Sequence, residues 1–237
     1  MMPSMRLSQA LLALATLAFV VAPALTPPFV GYKPGLFPVE IIRPAIQPAG
    51  YAFSIWAVIY LWLLAHAGFG LMARRSDLVW ARTEAPLAGA AALGSVWLAI
   101  ANAAPITATI AIVIMASLAI SAYLRADPVQ DKWLLAAPLA IFAGWLTAAS
   151  AVSLGVVLAG YGWLNNTNAA LLTLAMVLAT ALRVQSLRPN MPVYGATVVW
   201  ACAGIAVANW GQIPLVAYSA IAGAVLLAAA TLIMARR

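Results

Sequence analysis

Long apolar segments alternate along the whole chain with short breaks that carry Pro, Gly or charged residues. Each apolar segment approaches the roughly 20 residues that an α-helix needs to cross the hydrocarbon core of a bilayer. The strands of a membrane barrel would instead alternate in polarity over about ten residues. The pattern therefore predicts an all-α, polytopic transmembrane helix bundle with eight spans, at residues 8–25, 52–73, 86–103, 105–124, 133–154, 168–184, 193–209 and 213–235.

Two of the links between these spans are very short. Spans three and four are joined around Ala104, and spans seven and eight are joined by residues 210–212. Because such links leave no room for a crossover, both pairs are expected to form tight antiparallel hairpins.

The loop at residues 26–51 is the longest segment without a helical pattern. Pro and Gly are too frequent in it for a regular helix. Its bulky apolar residues, such as Phe29, Phe37 and Ile41, argue against disorder, because disordered segments are poor in such residues. We therefore expect a folded lid over the extracytoplasmic mouth of the bundle, with a short helical turn near residues 39–42.

Composition agrees with a membrane environment. The chain is 66% hydrophobic and 7% charged, whereas about a quarter of the residues in soluble domains are charged. Cys202 is the one cysteine and lies within an apolar span. Neither a disulfide framework nor a cysteine-based metal site is expected.

The positions of the basic residues predict the orientation. With the N-terminus in the cytoplasm, ten of the 12 Lys and Arg residues, Arg6 and Arg237 among them, lie on the cytoplasmic side, and Lys33 and Arg43 lie opposite. Basic residues concentrate in cytoplasmic loops. We therefore expect a multi-pass protein of the cell inner (cytoplasmic) membrane with both termini cytoplasmic. The net charge of +7 then matches anionic membrane lipids, and no nucleic-acid partner is needed.

The first span also has the outline of a signal peptide. Arg6 precedes an apolar stretch that ends in the small residues around Ala22. We expect this segment to be retained as a membrane span; cleavage would leave seven spans.

Ionisable residues are predicted to lie outside the membrane. The five acidic residues fall in predicted loops, and Lys and Arg are confined to loops and span ends. Proton-coupled and ion-coupled transporters generally keep such residues within the membrane, so that class is disfavoured. His66 is the one histidine, too little for a metal site, and a neutral imidazole bonded to a neighbouring helix is expected. No catalytic group is visible, so an enzyme is not expected.

Three aromatic residues mark the start of the second span. Phe53, Trp56 and Tyr60 follow each other at steps of three and four residues, which places them on one helical face. They lie directly after the long loop. An apolar, aromatic-lined cavity with a few polar groups is typical of sites for small apolar ligands. We predict that these three side chains stack on such a ligand.

Four further residues complete the predicted binding site. Trp97 and Trp145 lie within spans three and five and would form the walls of the site. Packing between helices or contact with lipid is an alternative explanation for tryptophans within spans. Asn102 and Arg43 fall at the level of the loop and would meet a polar or anionic edge of the ligand.

The loop-to-helix segment resembles a known family. Pro48, Phe53, Trp56 and Tyr60 are similar to the signature of the TspO/MBR family, the tryptophan-rich sensory proteins related to the mitochondrial translocator protein. The match is closest to the longer, divergent bacterial branch. The step from Trp56 to Tyr60 agrees with the mainstream family, whereas the step from Phe53 to Trp56 is one residue shorter.

Two other spans carry weaker similarities to this family. Trp97 resembles the tryptophan of its third helix, and Trp145 is followed by Ala149 and Ser153. Mainstream members carry Asn where this chain has Ser153, so a polar contact is expected to differ.

The resemblance implies an architecture and a ligand class. Residues 1–155 would form a TspO-like five-helix core whose pocket is capped by the loop 26–51, and residues 156–237 would add a three-helix C-terminal extension within one integrated membrane domain. Family members bind porphyrins such as haem, or sterol-like molecules, often as homodimers. Porphyrin breakdown, which has been proposed for some members, finds no catalytic residues here.

Three functions are compatible with these observations. The favoured one is binding of a hydrophobic, tetrapyrrole-like or sterol-like small molecule, linked to sensing or transport. The alternatives are a facilitator or exporter of small solutes, and a regulatory membrane subunit without a ligand.

Overall fold

The computed structural model describes residues 7–27, 29 and 31–236. Arg6 and Arg237, two of the basic residues used for the orientation, lie outside this part of the chain. Within it the secondary structure consists of eight α-helices and two 3₁₀ turns, without a strand. The helices are α1 (Leu7–Leu25), α2 (Ile55–Ala73), α3 (Leu78–Ala101), α4 (Pro105–Arg125), α5 (Ala136–Gly160), α6 (Asn166–Leu187), α7 (Val193–Asn209) and α8 (Pro214–Ala235).

The predicted all-α membrane bundle is confirmed. Seven of the described helices are long and apolar enough to cross a membrane. The eighth, α7, has 17 residues, which is about the lower limit for a spanning helix. The predicted hairpins are present, because α3 packs on α4 and α7 packs on α8.

Helix α5 is the centre of the bundle. It packs against α2, α4, α6 and α7, and most of its residues are buried. Its sequence is rich in Ala and Gly, and small residues let helix backbones approach closely. At Gly144, for example, an added Cβ atom would lie 2.9 Å from the carbonyl oxygen of Tyr194 on α7. Helix α1 packs on α3 and α2 at one side, and α8 covers α7 and α6 at the other.

The predicted start of the third span was wrong. Helix α3 begins at Leu78 instead of residue 86, because Asp77 caps it by accepting a hydrogen bond from the amide of Val79 at 2.8 Å. Glu84, which was predicted to lie in a loop, therefore lies within the helix and is buried, where it accepts a hydrogen bond from Ser8. A helix of 24 residues is about 36 Å long. It exceeds the hydrocarbon thickness of about 30 Å, so its first turns can extend beyond that layer.

The loop between α1 and α2 is folded, and its residues 26–49 are called the lid below. Its short helical turn lies at Pro34–Leu36 and not at residues 39–42, where it was predicted. Backbone hydrogen bonds join the lid to two helices: the amide of Val39 donates to Gly160 at 2.9 Å, and the amide of Ala49 donates to Gly204 at 3.0 Å. A second 3₁₀ turn, Gly50–Ser54, leads from the lid into α2.

The opposite end of the bundle is tied together by polar contacts. Arg74 donates from Nε and one terminal nitrogen to the Asp131 carboxylate, at 2.7 and 3.0 Å. The indole of Trp80 donates to the same carboxylate at 2.9 Å and stacks on His66. His66 Nδ1 lies 2.8 Å from the carbonyl oxygen of Leu134, next to the start of α5. Because a carbonyl only accepts, Nδ1 is the donor in this contact.

Candidate functional site

The 3₁₀ turn Gly50–Ser54 places the first aromatic residue of the site. With three residues per turn, a 3₁₀ helix aligns positions i and i+3. Phe53 stands at the end of this turn and Trp56 follows at the start of α2. The step of three residues between them thus keeps both side chains on the same side of the chain. Tyr60 then follows one α-helical turn after Trp56.

These residues line a cavity beneath the lid, called the wide chamber below. Its volume is about 430 Å³, within the range of about 300–1,000 Å³ of small-molecule sites. Residues from the lid, the second 3₁₀ turn and helices α1 to α5 form its wall: Phe19, Ala22, Pro23, Pro27, Phe29, Gln47, Gly50, Phe53, Trp56, Tyr60, Gly94, Trp97, Leu98, Ile112, Met115, Trp145, Leu146 and Ala149.

A smaller cavity of about 70 Å³ adjoins the wide chamber and is called the recess below. The two share part of their walls, including Phe53, Trp97 and Trp145. The recess continues between the lid and α5, where Tyr32 and Ser153 contribute polar groups.

The aromatic rings of the wide chamber contact each other. Trp56 and Tyr60 are stacked, with ring centroids 5.4 Å apart and an angle of 21° between the ring planes. Phe19 of α1 meets both edge-on, at 5.8 and 5.2 Å. Phe53 and Trp56 each meet Trp145 of α5 edge-on. Such geometries are the favoured ones for aromatic pairs, and they give the chamber flat, apolar walls.

Two indole N–H groups in the walls differ in their hydrogen bonding. Trp97 donates Nε1–H to the carbonyl oxygen of Ala108 at 2.9 Å. Trp145 is buried, and its Nε1–H has no acceptor within the described part of the chain. Buried donors are nearly always paired. The unpaired N–H of Trp145 is therefore an exception among the buried donors of the site.

A chain of hydroxyl groups closes the polar side of the recess. The Tyr32 and Ser153 oxygens are 2.5 Å apart, and those of Ser153 and Thr109 are 2.7 Å apart. Thr109 donates to the carbonyl oxygen of Pro105 at 2.9 Å. Burial raises the pKa of the Tyr32 phenol above its ordinary value, although the bonds to Ser153 and Thr109 oppose this. The phenol therefore remains protonated near neutral pH.

The described walls of both cavities lack carboxylate, ammonium, guanidinium and imidazole groups. None of the described residues that line them is Asp, Glu, Lys, Arg or His. Nor does the described part of the chain contain a group of three or more His, Cys, Asp or Glu side chains that could bind a metal ion. The interior of the site is therefore neutral, with a few hydrogen-bonding groups.

The sequence-predicted site residues fall into two groups. Phe53, Trp56, Tyr60, Trp97 and Trp145 are brought together around the wide chamber. The structure does not bring Asn102 and Arg43 into this group. The amide of Asn102 donates to the carbonyl of Leu98 at 3.0 Å, and the guanidinium of Arg43 donates to the carbonyl of Ala208.

Several lining residues were not predicted from the sequence. Phe19 belongs to α1, and Phe29, Tyr32 and Gln47 belong to the lid. No local pattern marks them, because their contacts with the site cross long stretches of sequence. The Tyr32–Ser153 bond, for example, joins residues 121 positions apart. Only the length of the loop and its bulky apolar residues indicated that it would fold over the site.

The wide chamber opens near the lid, where α1 ends and α2 begins. Four of its lining residues are also exposed at the surface: Pro23 and Pro27 at the end of α1, and Gly50 and Phe53 before α2. Exposed apolar residues lie on the same helices, such as Val21 on α1 and Val58 on α2. The opening is therefore flanked by surfaces suited to hydrocarbon.

Comparison with known proteins gives one match. The sequence model of the TSPO-like protein family matches residues 9–233, nearly the whole chain. Neither the curated proteins nor the solved structures contain a significant match. The family match covers the five helices that form the site as well as α6, α7 and most of α8. With its apolar helices, the chain is a multi-pass membrane protein that belongs to the TSPO-like protein family.

Proposed function

We propose that this protein binds a hydrophobic small molecule in the wide chamber beneath the lid, in a sensory or transport-linked role. The observation that carries the proposal is an aromatic-walled cavity of about 430 Å³ beneath the lid, lined by Phe53, Trp56 and Tyr60 among others. Apolar pockets with a few placed polar groups are characteristic of ligand sites.

The flat aromatic walls favour a molecule with a planar or nearly planar ring system. Stacked and edge-on rings, such as those of Trp56, Tyr60 and Phe19, offer faces and edges to such a ligand. Tetrapyrroles such as porphyrin or haem, and sterol-like molecules, are the classes to test first. Because exposed apolar residues such as Val21 on α1 and Val58 on α2 lie beside the opening, the ligand would arrive from membrane lipid.

The orientation is part of the proposal. The described basic residues concentrate at the end of the bundle opposite the lid, where Arg74, Arg75 and Arg82 lie. The tendency of basic residues to remain in the cytoplasm supports an orientation in the cell inner membrane with the termini cytoplasmic and the lid outside. A homodimer is compatible with this arrangement.

A solute facilitator has less support. Such a protein needs a polar route across both leaflets. The wide chamber reaches inward only as far as residues such as Tyr60 and Met115, near the middle of their helices. Its lining is apolar apart from a few groups near the lid and the Tyr60 hydroxyl.

Quenching of intrinsic tryptophan fluorescence tests ligand binding directly. The full-length protein in detergent is titrated with protoporphyrin, haem and a sterol, each corrected for partition into empty micelles. We expect saturable quenching by at least one probe and its loss in Trp56→Ala.

The matched control is Trp210→Ala. Trp210 is 64% exposed, contacts Tyr218 and lies outside the walls of both cavities. This variant should retain the wild-type binding constant. Equal binding by Trp56→Ala and the wild type, or no saturable quenching by any probe, contradicts the proposed function and favours a membrane subunit without a ligand.

A further inference from the structure

The inner end of the wide chamber lies near the middle of the helices. The lining residues farthest from the lid include Phe19 on α1, Tyr60 on α2 and Met115 on α4. One helical turn further inward, Leu63 on α2 and Phe142 on α5 are buried and are not among the described residues that line either cavity. The chamber therefore stops at this level, against packed side chains.

Phe19 contacts both the chamber walls and the packed interior. Its ring is buried and meets the wall residues Trp56 and Tyr60 edge-on, with ring centroids 5.8 and 5.2 Å apart. The same ring lies 5.5 Å from that of Phe142, behind the chamber. Phe19 thus separates the cavity from the core.

A glycine on α3 provides the space for this ring. An added Cβ atom at Gly94 would lie 2.6 and 2.7 Å from two ring atoms of Phe19, and 3.0 Å from the terminal methyl group of Met115. Protein interiors are packed too closely to absorb such overlap without movement. The position of the Phe19 ring, and with it the inner end of the chamber, therefore depends on the absence of a side chain at Gly94.

We propose that Phe19, packed against Gly94, sets the depth of the wide chamber and thereby limits the length of the flat apolar molecule that fills it. This assignment rests on the ligand-binding function proposed above and identifies the residues that determine ligand size. From Phe53 at the opening to Tyr60 at the inner end, the chain rises by about 10 Å. A longer molecule leaves part of its length outside the opening, where it makes no contact with the chamber walls.

Stilbene, diphenylbutadiene and diphenylhexatriene test the depth, because they are neutral and flat and differ in length by one double bond at each step. Energy transfer from tryptophan to diphenylhexatriene reports its binding to the full-length protein in detergent, and its displacement gives the affinities of the two shorter probes. All values are corrected for partition into empty micelles. For the wild type they should differ by less than about threefold, because the protruding part of a longer probe gains no dispersion contacts.

Truncation of Phe19 should deepen the chamber. Phe19→Ala leaves an apolar space beside Phe142 that a longer hydrocarbon can fill, so diphenylhexatriene should bind at least about tenfold more tightly than stilbene. Phe19→Leu removes less volume and disturbs the core less, so it should change this ratio in the same direction by about threefold. The leucine variant decides the question if the alanine variant does not fold.

Enlargement of Gly94 should have the opposite effect. The added methyl group and the displaced Phe19 ring take up volume at the inner end, so Gly94→Ala should weaken the binding of all three probes by about threefold or more. Gly89→Ala is the matched control on the same helix. An added Cβ atom there meets only the side chain of Leu118, at 3.3 Å, and lies outside the described walls of the chamber. This variant should bind all three probes as the wild type does.

The outcomes separate this proposal from the function on which it rests. If the wild type binds the probes but their affinity ratio is unchanged in Phe19→Leu, or if Gly94→Ala binds them as Gly89→Ala does, Phe19 does not set the depth of the chamber. If no probe binds the wild type saturably, or if Trp56→Ala binds them all as the wild type does, the ligand-binding function itself is wrong. Opposite effects of the Phe19 and Gly94 substitutions support both.

Discussion

Asn209 at the end of α7 donates its side-chain amide to the carbonyl oxygen of Ala45 in the lid, at 2.7 Å and across 164 positions of sequence. Both residues are buried. Asn166 makes a second connection, because its side-chain oxygen accepts from the amide of Ala45 at 2.8 Å. The second half of the lid, around Ala45, is therefore held by α6 and α7, helices that do not themselves carry the aromatic walls.

Removal of the Asn209 amide should loosen the lid. Asn209→Ala leaves the buried carbonyl of Ala45 without its donor, which costs about 1–3 kcal/mol of unfolding free energy. Amide hydrogen exchange of the detergent-solubilised protein should accelerate at residues 43–49. The exposed Asn168 lies at the same end of the bundle, and Asn168→Ala should leave both stability and exchange unchanged. Unaltered exchange at residues 43–49 in Asn209→Ala would show that this bond does not hold the lid.

The first half of the lid depends on a glycine at the end of α5. A Cβ atom at Gly160 would clash with the ring of Phe37, which packs between Tyr32 and Tyr161. Gly160→Ala must displace this ring, and such overpacking costs about 1–3 kcal/mol. We expect a lower midpoint of thermal unfolding and faster proteolysis near residue 37.

Gly35 provides a control within the same loop. A Cβ atom at Gly35 would have no neighbour within 4 Å, so Gly35→Ala should change the unfolding free energy by less than about 0.5 kcal/mol. Equal effects of the two substitutions would mean that the lid responds to any added methyl group and not to the Phe37 contact.

Acid should weaken the opposite end of the bundle. The hydrogen bonds from Arg74 hold the pKa of the Asp131 carboxyl below its usual value, with a smaller contribution from Trp80. An unfolded Asp titrates at about pH 3.9. Because the folded pKa is lower, this contribution to stability is complete above the unfolded pKa and is lost as the pH falls through the folded value.

The comparison of Asp131→Asn with the wild type isolates this contribution. Wild-type stability should fall more steeply than that of the variant when the medium is acidified from about pH 6 to about pH 3. Backbone hydrogen bonds also lower the pKa of Asp127, so the variant should keep part of the acid dependence. Parallel curves for the two proteins would contradict a stabilising role of the Asp131 carboxylate.

The helices could be predicted from the sequence because apolar length and helix ends are local properties. Helix α4 begins at Pro105 and α7 covers Val193–Asn209, both as predicted. The start of α3 was missed because Arg82 and Glu84 were taken as signs of a loop. Asp77 was the available signal, since Asp is a preferred helix cap.

The site was only partly predictable for a related reason. Phe53, Trp56 and Tyr60 are close in sequence, so their common face follows from helical spacing. The recess depends on Tyr32 and Ser153, whose contact is set by how the lid folds onto α5. No periodicity encodes such a distant pairing. Arg43 illustrates the same limit, because its distance from the cavity follows from its bond to Ala208 on α7.

The last prediction concerns the junction of the two cavities. Ala149 on α5 lines both the wide chamber and the recess. Ala149→Leu would place a larger apolar side chain in the cavity. Because this space is empty, the side chain fits without displacing neighbouring protein atoms. The unfolding midpoint should therefore stay the same or rise, whereas the affinity for a planar ligand should fall at least about tenfold because the ligand and the Leu side chain compete for the same volume.

Ala229→Leu, on the exposed surface of α8, is the matched control for the added hydrophobic bulk and should bind as the wild type does. Affinities are measured by tryptophan quenching with protoporphyrin and with a sterol. Wild-type affinity for both probes in Ala149→Leu, with the fold intact by thermal unfolding, would place the binding site outside these two cavities. A selective loss of sterol binding with protoporphyrin unchanged would instead mean that the tetrapyrrole binds elsewhere on the membrane-facing surface.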